Sequence, residues 1–262
     1  PKAVPEQTPV FLYNPHPYPI TGDFVFELMP ADQNWSQVLR NAVTVTQNGT
    51  QIPSQEEKPA VNMNLDWRKR VAGHATLEPS GLTRLDCAFT QVPCTVQEEV
   101  TFPKEDIRFD NGDMQLTINI RTGLVDHYTA AGVEYVSNGA FAPVLYQDSP
   151  DPWYMTKNCF PQKLGVFALT EARRAHRYSD GAEILVPAVR IVENGAVRML
   201  VEAEFGWGRS RLVQTYCLPK AGTSFEIMQD IFWNEADTML KLEIPAAFKG
   251  DYLGQGMFGS GS

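Results

Sequence analysis

A chain of 262 residues with 43% hydrophobic side chains can bury a large core, which excludes a disordered segment. Its formal net charge of −9, with no basic stripe, excludes a nucleic-acid binder, and no apolar run is long enough to cross a bilayer. The four cysteines (Cys87, Cys94, Cys159 and Cys217) have neither CxxC spacing nor the density of a disulfide framework. Free, mostly buried thiols and a cytoplasmic location are expected from them.

Residues 1–9 carry three prolines and read as a linker. Val10 to Tyr13 begins a series of short strands, broken at Asn14-Pro15-His16-Pro17, where proline fixes φ and removes backbone donors. Further strands are expected over Asp23 to Leu28, around Val43 and Val45 up to the Asn48-Gly49 turn, and from Gln51. Two more follow, from Trp67 to Leu77 and from Leu82 to Phe89, around Pro79-Ser80-Gly81. Short strands with a turn signal every ten residues or so predict a small β-sandwich over residues 10–100. Its boundary falls near Pro93 to Pro103. The basic clusters Arg68-Lys69-Arg70 and Arg173-Arg174 with His176 and Arg177 read as solvated strand ends.

From Ile107 the pattern changes. Met114, Leu116, Ile118 and Ile120 alternate with polar residues, as a half-buried strand does. A strand beginning near Asn138 runs into a proline-rich loop holding Asp148, Asp151 and Trp153. The stretch from Glu183 to Pro245 reads as five long antiparallel strands. Asn194-Gly195 is its clearest hairpin turn, with positive φ expected at both residues. After it, Val197, Met199, Val201, Ala203 and Phe205 mark a core face, and Arg198, Leu200, Glu202 and Glu204 alternate toward water. Trp233 reads as core, whereas Trp67, Trp153 and Trp207 read as partly exposed. No amphipathic helix of three turns is found. The expected fold class is all-β, with a second, larger antiparallel domain over 101–262 whose glycine-rich Gly254–Ser262 is expected to be a loop at which that domain is truncated, or in part an added linker.

Tests for chemistry mostly fail. His16, His74, His127 and His176 show no paired metal-ligand spacing. No G-x-S-x-G elbow is present, and Phe205-Gly-Trp-Gly208 suits a tight turn better than a nucleotide cradle. Asp148 and Asp151 beside Trp153 could serve glycoside chemistry, but turn formation beside Pro150 and Pro152 outweighs it. An epimerase would need a histidine acid and a glutamate base. The candidates are His127, His176, Glu202 and Glu204, and a solvated strand face outweighs that reading for the glutamates. Asn34-Trp35-Ser36 and Asn48-Gly49-Thr50 match the glycosylation triplet, which free cysteines argue against.

Several segments in order resemble one family. They are PVFLYNPHPYPITGDFVFEL, Gln51-Ile-Pro-Ser-Gln55, the hairpin-like Glu78-Pro-Ser-Gly81-Leu, and Gly139-Ala-Phe141 with Tyr146-x-Asp148 and Asp151-x-Trp153. Ile231-Phe-Trp-Asn-Glu235 and Leu240-Lys-Leu-Glu-Ile-Pro245 complete the set. Together they are similar to the C-terminal β region of the retaining α-mannosidases of glycoside hydrolase family 38. The resemblance implies a small sandwich followed by a supersandwich of the galactose-mutarotase-like type. It also implies that the nucleophile and the zinc ligands lie in an upstream catalytic domain of the same polypeptide. No catalytic residue, metal site or cofactor of this chain's own follows from it. Phe141 stands where the family has a tyrosine reaching toward the sugar, and it lacks the hydroxyl. Phe141, Asp148, Asp151 and Trp153 are the expected substrate-rim residues. The implied partners are that catalytic domain and mannosides, and a homo-oligomer is compatible with the sequence. A free-standing carbohydrate-binding module, or a mutarotase-type epimerase, is the alternative.

Overall fold

The computed structural model describes residues 7–59, 61, 63, 65–94, 102–151, 153, 159–177, 180–251, 253–256 and 259–261, and among them every regular element is a strand. The chain forms two compact units. The first is Pro1–Glu99 with Ile191–Leu200 and Cys217–Lys220; the second is Val100–Arg190 with Val201–Tyr216 and Ala221–Ser262. The expected boundary at about residue 100 thus meets two later returns of the chain to the first unit. Residues 1–6 of the expected linker, and 95–101 within the expected boundary, lie outside the described residues.

The first unit holds β1 (Gln7–Asn14), β2 (Ile20–Leu28), β3 (Leu39–Gln47), β4 (Thr50–Gln51), β5 (Ser54–Glu57), β6 (Lys69–Leu77) and β7 (Gly81–Pro93). They form two antiparallel sheets, ordered β1-β7-β3-β4 and β2-β6-β5. The alternating apolar residues of both meet in one core of Leu28, Val45, Val71, Ala75, Leu85 and Cys87, with Phe24, Phe26 and Phe89 packed against it. β1 starts at Gln7, inside the stretch read as linker, and Pro9 fits there because β1 is an edge strand. Asn48 and Gly49 both take positive φ, 52° and 79°, as a two-residue hairpin between β3 and β4 requires. The turn at 78–81 is not a hairpin. It carries the chain from the β2-β6-β5 sheet to the β1-β7-β3-β4 sheet, with Ser80 at φ 46°. Asn14 is fully buried, donates from Nδ2 to the Tyr18 carbonyl and accepts the His16 N–H, which explains its place before two prolines. Asn34 is also buried and accepts from Ser36 while donating to the Leu39 carbonyl, so its triplet is a structural turn.

The later strands are β8 (Ile107–Asp110), β9 (Met114–Ile118), β10 (Val125–Ala130), β11 (Val133–Glu134), β12 (Ala142–Gln147), β13 (Lys163–Val166) and β14 (Ala168–Leu169). Then come β15 (Arg173–His176), β16 (Glu183–Val186), β17 (Val189–Asn194), β18 (Arg198–Trp207), β19 (Ser210–Pro219), β20 (Glu226–Phe232) and β21 (Thr238–Glu243). β22 (Gly254–Gly256) and β23 (Gly259–Gly261) pair in the glycine-rich tail, of which 257, 258 and 262 lie outside the described residues. The main sheets are β11-β10-β9-β8, β13-β12-β21, and β14-β18-β19-β20 with β17 also on β18. Glu183 to Pro245 therefore contains six strands, not five.

Three expectations need correction here. Asn194 and Gly195 do not take positive φ. Gly195 instead donates to the Arg198 carbonyl across a three-residue connection, and glycine is needed because a Cβ would sit 2.4 Å from Gln55 Oε1. β18 is not half-exposed: Arg198, Leu200 and Glu204 are buried along with Val201, Ala203 and Phe205. Its charges are covered because each has an opposite charge against it, a pairing that alternation cannot report. Trp233 is 37% exposed instead of core, tilted against Phe167.

The 139–153 loop and strand as candidate functional site

Gly139-Ala-Phe141 is a tightly constrained stretch of backbone in the second unit. Gly139 has φ 82° and Phe141 φ 66°, an outlier for a bulky side chain. Such strain persists only where neighbours over-determine it. They do so here. Gly139 N–H donates to Asp126 Oδ1, and Asp126 Oδ2 accepts from Asn119. Ala140, fully buried, exchanges both backbone bonds with Val125. Phe141 N–H donates to the Glu243 carbonyl, and its own carbonyl accepts from Gln214 Nε2.

Gln214 has no exposed surface and its amide is fully used. Nε2 also donates to the Tyr216 hydroxyl at 2.6 Å, and Oε1 accepts from Gln229 at 2.6 Å. The Tyr216 hydroxyl donates to the Gly123 carbonyl at 2.7 Å, and burial pushes its pKa well up despite the Gln214 bond. This buried network is a frame, not an acid–base pair. It was readable in principle: Gln214 lies in phase with the apolar positions Leu212, Tyr216 and Leu218 of β19. The Phe141 ring is half-buried, edge-on to Phe225 at 5.5 Å, and Phe225 is edge-on to Tyr128 at 5.0 Å.

β12 runs from this loop to the other predicted residues. Asp148 N–H donates to the Asp237 carbonyl, and Asp148 Oδ1 accepts the Ser149 N–H. Asp151 Oδ1 accepts the Trp153 N–H, so each carboxylate closes a turn. Trp153 is 95% exposed. Pro152, invoked for these turns, lies outside the described residues. Phe141 precedes β12 and Asp148 follows it, so a strand rise of about 3.3 Å per residue separates them by roughly 20 Å. The four predicted rim residues are two groups, and one sugar ring cannot touch both.

Glu235, in the Trp-Asn-Glu segment, accepts from the Ser210 hydroxyl at 2.9 Å and from the Arg209 N–H, holding the β18–β19 turn. That turn has positive φ at Gly208 (54°), its first central residue, as a II′ turn does. The Phe-Gly-Trp-Gly segment is thus a tight turn. Glu202 and Glu204, weighed as epimerase bases, are bound to arginines: Arg190 Nη2 lies 2.5 Å from Glu202, and Glu204 meets Arg173, Arg190 and Arg211. His127 faces Glu134 and His176 the Gly181 carbonyl, so no histidine–glutamate pair of that set converges.

In the first unit, Gln55 accepts the N–H groups of Val197 and Arg198, each at 2.9 Å. Arg198 makes a bidentate bond to Glu57 at 2.7 and 2.7 Å, with side chains 8% and 2% exposed. Burial alone would raise the Glu57 carboxyl, but hydrogen bonding and charge from Arg198, then Arg70, outweigh it and hold the pKa below its ordinary value. Beside it a cleft of about 470 Å³ is lined by Arg40, Glu56, Asp66, Lys69 and Glu193 among others. Burial raises the Glu193 carboxyl above its ordinary value, although it accepts the Lys58 N–H. Among the described residues no group of three or more His, Cys, Asp or Glu side chains is placed to hold a metal ion. Among the described residues no helix is long and apolar enough to cross a membrane.

Comparison with known proteins agrees with the all-β fold. No curated protein matches this sequence. One similar solved structure is the crystal structure of a protein in the glycosyl hydrolase family 38 from Enterococcus faecalis, with a TM-score of 0.58 at 11% identity. The match covers 92% of this chain and 33% of that one, so the chain spans about a third of that protein's length. At that identity the likeness speaks for the fold. The model of the glycosyl hydrolases family 38 C-terminal domain matches residues 109–255, from β8 through β22, and with more than half of its length matched the chain belongs to that family.

Proposed function

We propose that this chain is the C-terminal β region of a zinc-dependent retaining α-mannosidase, where it braces a catalytic domain carried on the same polypeptide. In this reading the chemistry, a glycosyl-enzyme intermediate formed and hydrolysed beside zinc, belongs wholly to that domain. This chain contributes shape. The observation that carries the proposal is the 139–141 loop: a phenylalanine at φ 66° held by bonds from Asp126, Val125, Gln214 and Glu243, inside the family match. A backbone so fixed presents the Phe141 ring in one place, and the ring offers an apolar wall without a hydrogen bond to sugar. Asp148, Asp151 and Trp153 would border an outer part of the same ligand, roughly 20 Å along β12. Exposed apolar residues near the C-terminal strands, Phe232 at 66% and Phe248 at 58%, support a surface that another domain covers.

The test is hydrolysis of an aryl α-mannoside with added zinc, by this chain and by a version extended at its N-terminus. Turnover by the extended protein alone is the expected result. Turnover by the isolated chain would refute the proposal. The second reading, a free-standing carbohydrate-binding module, is favoured by one observation, the 95% exposure of Trp153 beside Asp151. Inactivity of both proteins, together with sugar-dependent quenching of Trp153 fluorescence, would bring that reading forward.

A further inference from the structure

Glu204 in β18 has little exposed surface, 4%, yet three guanidiniums meet it. Arg190 reaches Glu204 Oε2 at 3.7 Å, but its closer partner is Glu202 at 2.5 Å, and it donates to the Pro187 carbonyl as well. That arginine is neutralised and 14% exposed. Arg173 from β15 and Arg211 from β19 differ. Arg173 Nε lies 3.4 Å from Oε2, and Arg211 Nη2 bonds Oε1. Two guanidiniums are thus fixed on the two oxygens of one carboxylate. Their side chains are 49% and 59% exposed.

Among the described residues, nothing accepts from Nη1 and Nη2 of Arg173 or from Nε and Nη1 of Arg211. Three arginines against Glu202 and Glu204 leave one positive charge unneutralised. Two like charges held together repel, and an anion bridging them removes that repulsion. The buried carboxylate fixes the two forks beforehand, so an incoming anion loses less ordering entropy than it would with free arginines. A carboxylate has two oxygens and is satisfied by one fork. A tetrahedral oxyanion offers three or four and can take donors from both.

We infer that Arg173 and Arg211, oriented by Glu204, form a binding site for a phosphate or sulfate group. The ion arrives either as free inorganic anion or as an ester on a larger ligand, and the recognising chemistry is the same. The site is independent of the 139–153 region and of the mannosidase reading.

The test uses the whole 262-residue chain at constant ionic strength, with phosphate or sulfate replacing chloride. The expected result is a saturable rise in Tm and broadening of the phosphate ³¹P resonance, both absent with chloride alone. Arg174→Gln should keep the response, since Arg174 pairs with Glu183 and not Glu204. The double variant R173Q/R211Q should lose it. Should that variant fail to fold, Arg211→Lys decides: it keeps the charge, removes the fork, and should weaken phosphate binding by about tenfold. No saturable response in the native chain, or an unchanged one in R211K or R173Q/R211Q, overturns the inference. A hexose 6-phosphate displacing ³¹P-observed phosphate more strongly than inorganic sulfate does assigns the site to an ester. Displacement by inorganic sulfate alone assigns it to the free anion.

Discussion

Replacing Arg198 by methionine should destabilise the chain by about 3 kcal/mol, the lower end of what breaking a buried ion pair costs. The estimate rests on the geometry. Glu57 is 2% exposed and loses both 2.7 Å bonds, but Arg70 Nε remains 3.3 Å away and keeps part of its compensation. In a protein of this size that loss corresponds to a drop in Tm of about 6–12 °C, measurable by calorimetry or denaturant midpoint. The double replacement E57M/R198M should recover all but about 1–2 kcal/mol. The residue left is the Gln55 Nε2 donor, which bonds Glu57 at 3.2 Å and would have no acceptor there. The pH dependence has a definite sign. The folded pKa of Glu57 lies below its ordinary value of 4.5, so its contribution is present above that pH and is lost as pH falls through the folded value. The deficit of Arg198→Met should therefore be full at pH 7 and narrow below pH 4.5. An R198M cost under about 1 kcal/mol, or a double variant no more stable than the single, would refute the pairing argument.

Glu193 should behave in the opposite sense. Its raised carboxyl stabilises the fold at low pH and less so as pH rises through the folded value, so Glu193→Gln should raise Tm at pH 7 and leave it unchanged at pH 4. Gln214→Leu strips partners from the Phe141 carbonyl and Gln229 in a fully buried site, and should cost about 2–4 kcal/mol by denaturant unfolding. Gly165→Ala places a Cβ 2.3 Å from the Trp207 ring and should cost about 1–3 kcal/mol, with a shift in tryptophan emission that an unmoved ring would not give. Of the four thiols, Cys94 and Cys159 are exposed and should react with a thiol reagent within minutes. Cys87, buried and with its pKa pushed up to about 11 by burial and by Asp86, should react only on unfolding.

Much of the fold was legible because it is local. The alternation of Met114, Leu116 and Ile118, and the Asn48-Gly49 pair, carry information about two to eight residues at a time. A period of two is enough to make a strand, and two residues with positive φ are enough to turn it. The candidate site was legible in composition but not in geometry. Gly139-Ala-Phe141 and Asp148 are neighbours in sequence, yet a strand is the longest path per residue a chain can take, and it sets them at two ends.

What the sequence by itself determined is the all-β class, most strands of both units, and the family. Each follows from short-range pattern. Tertiary structure alone decided which charges are buried. Arg198 and Glu204 occupy polar positions of an alternating strand, and the same pattern fits a solvated face. Glu57, distant in sequence, closes one of them in, and Arg173, Arg190 and Arg211 the other. It also decided that Gly195 is glycine for the sake of Gln55, and that Ile191–Leu200 belongs with the first unit. The physical reason is that desolvating a charge is costly alone and tolerable when paired, and the partner's position is a property of the folded chain.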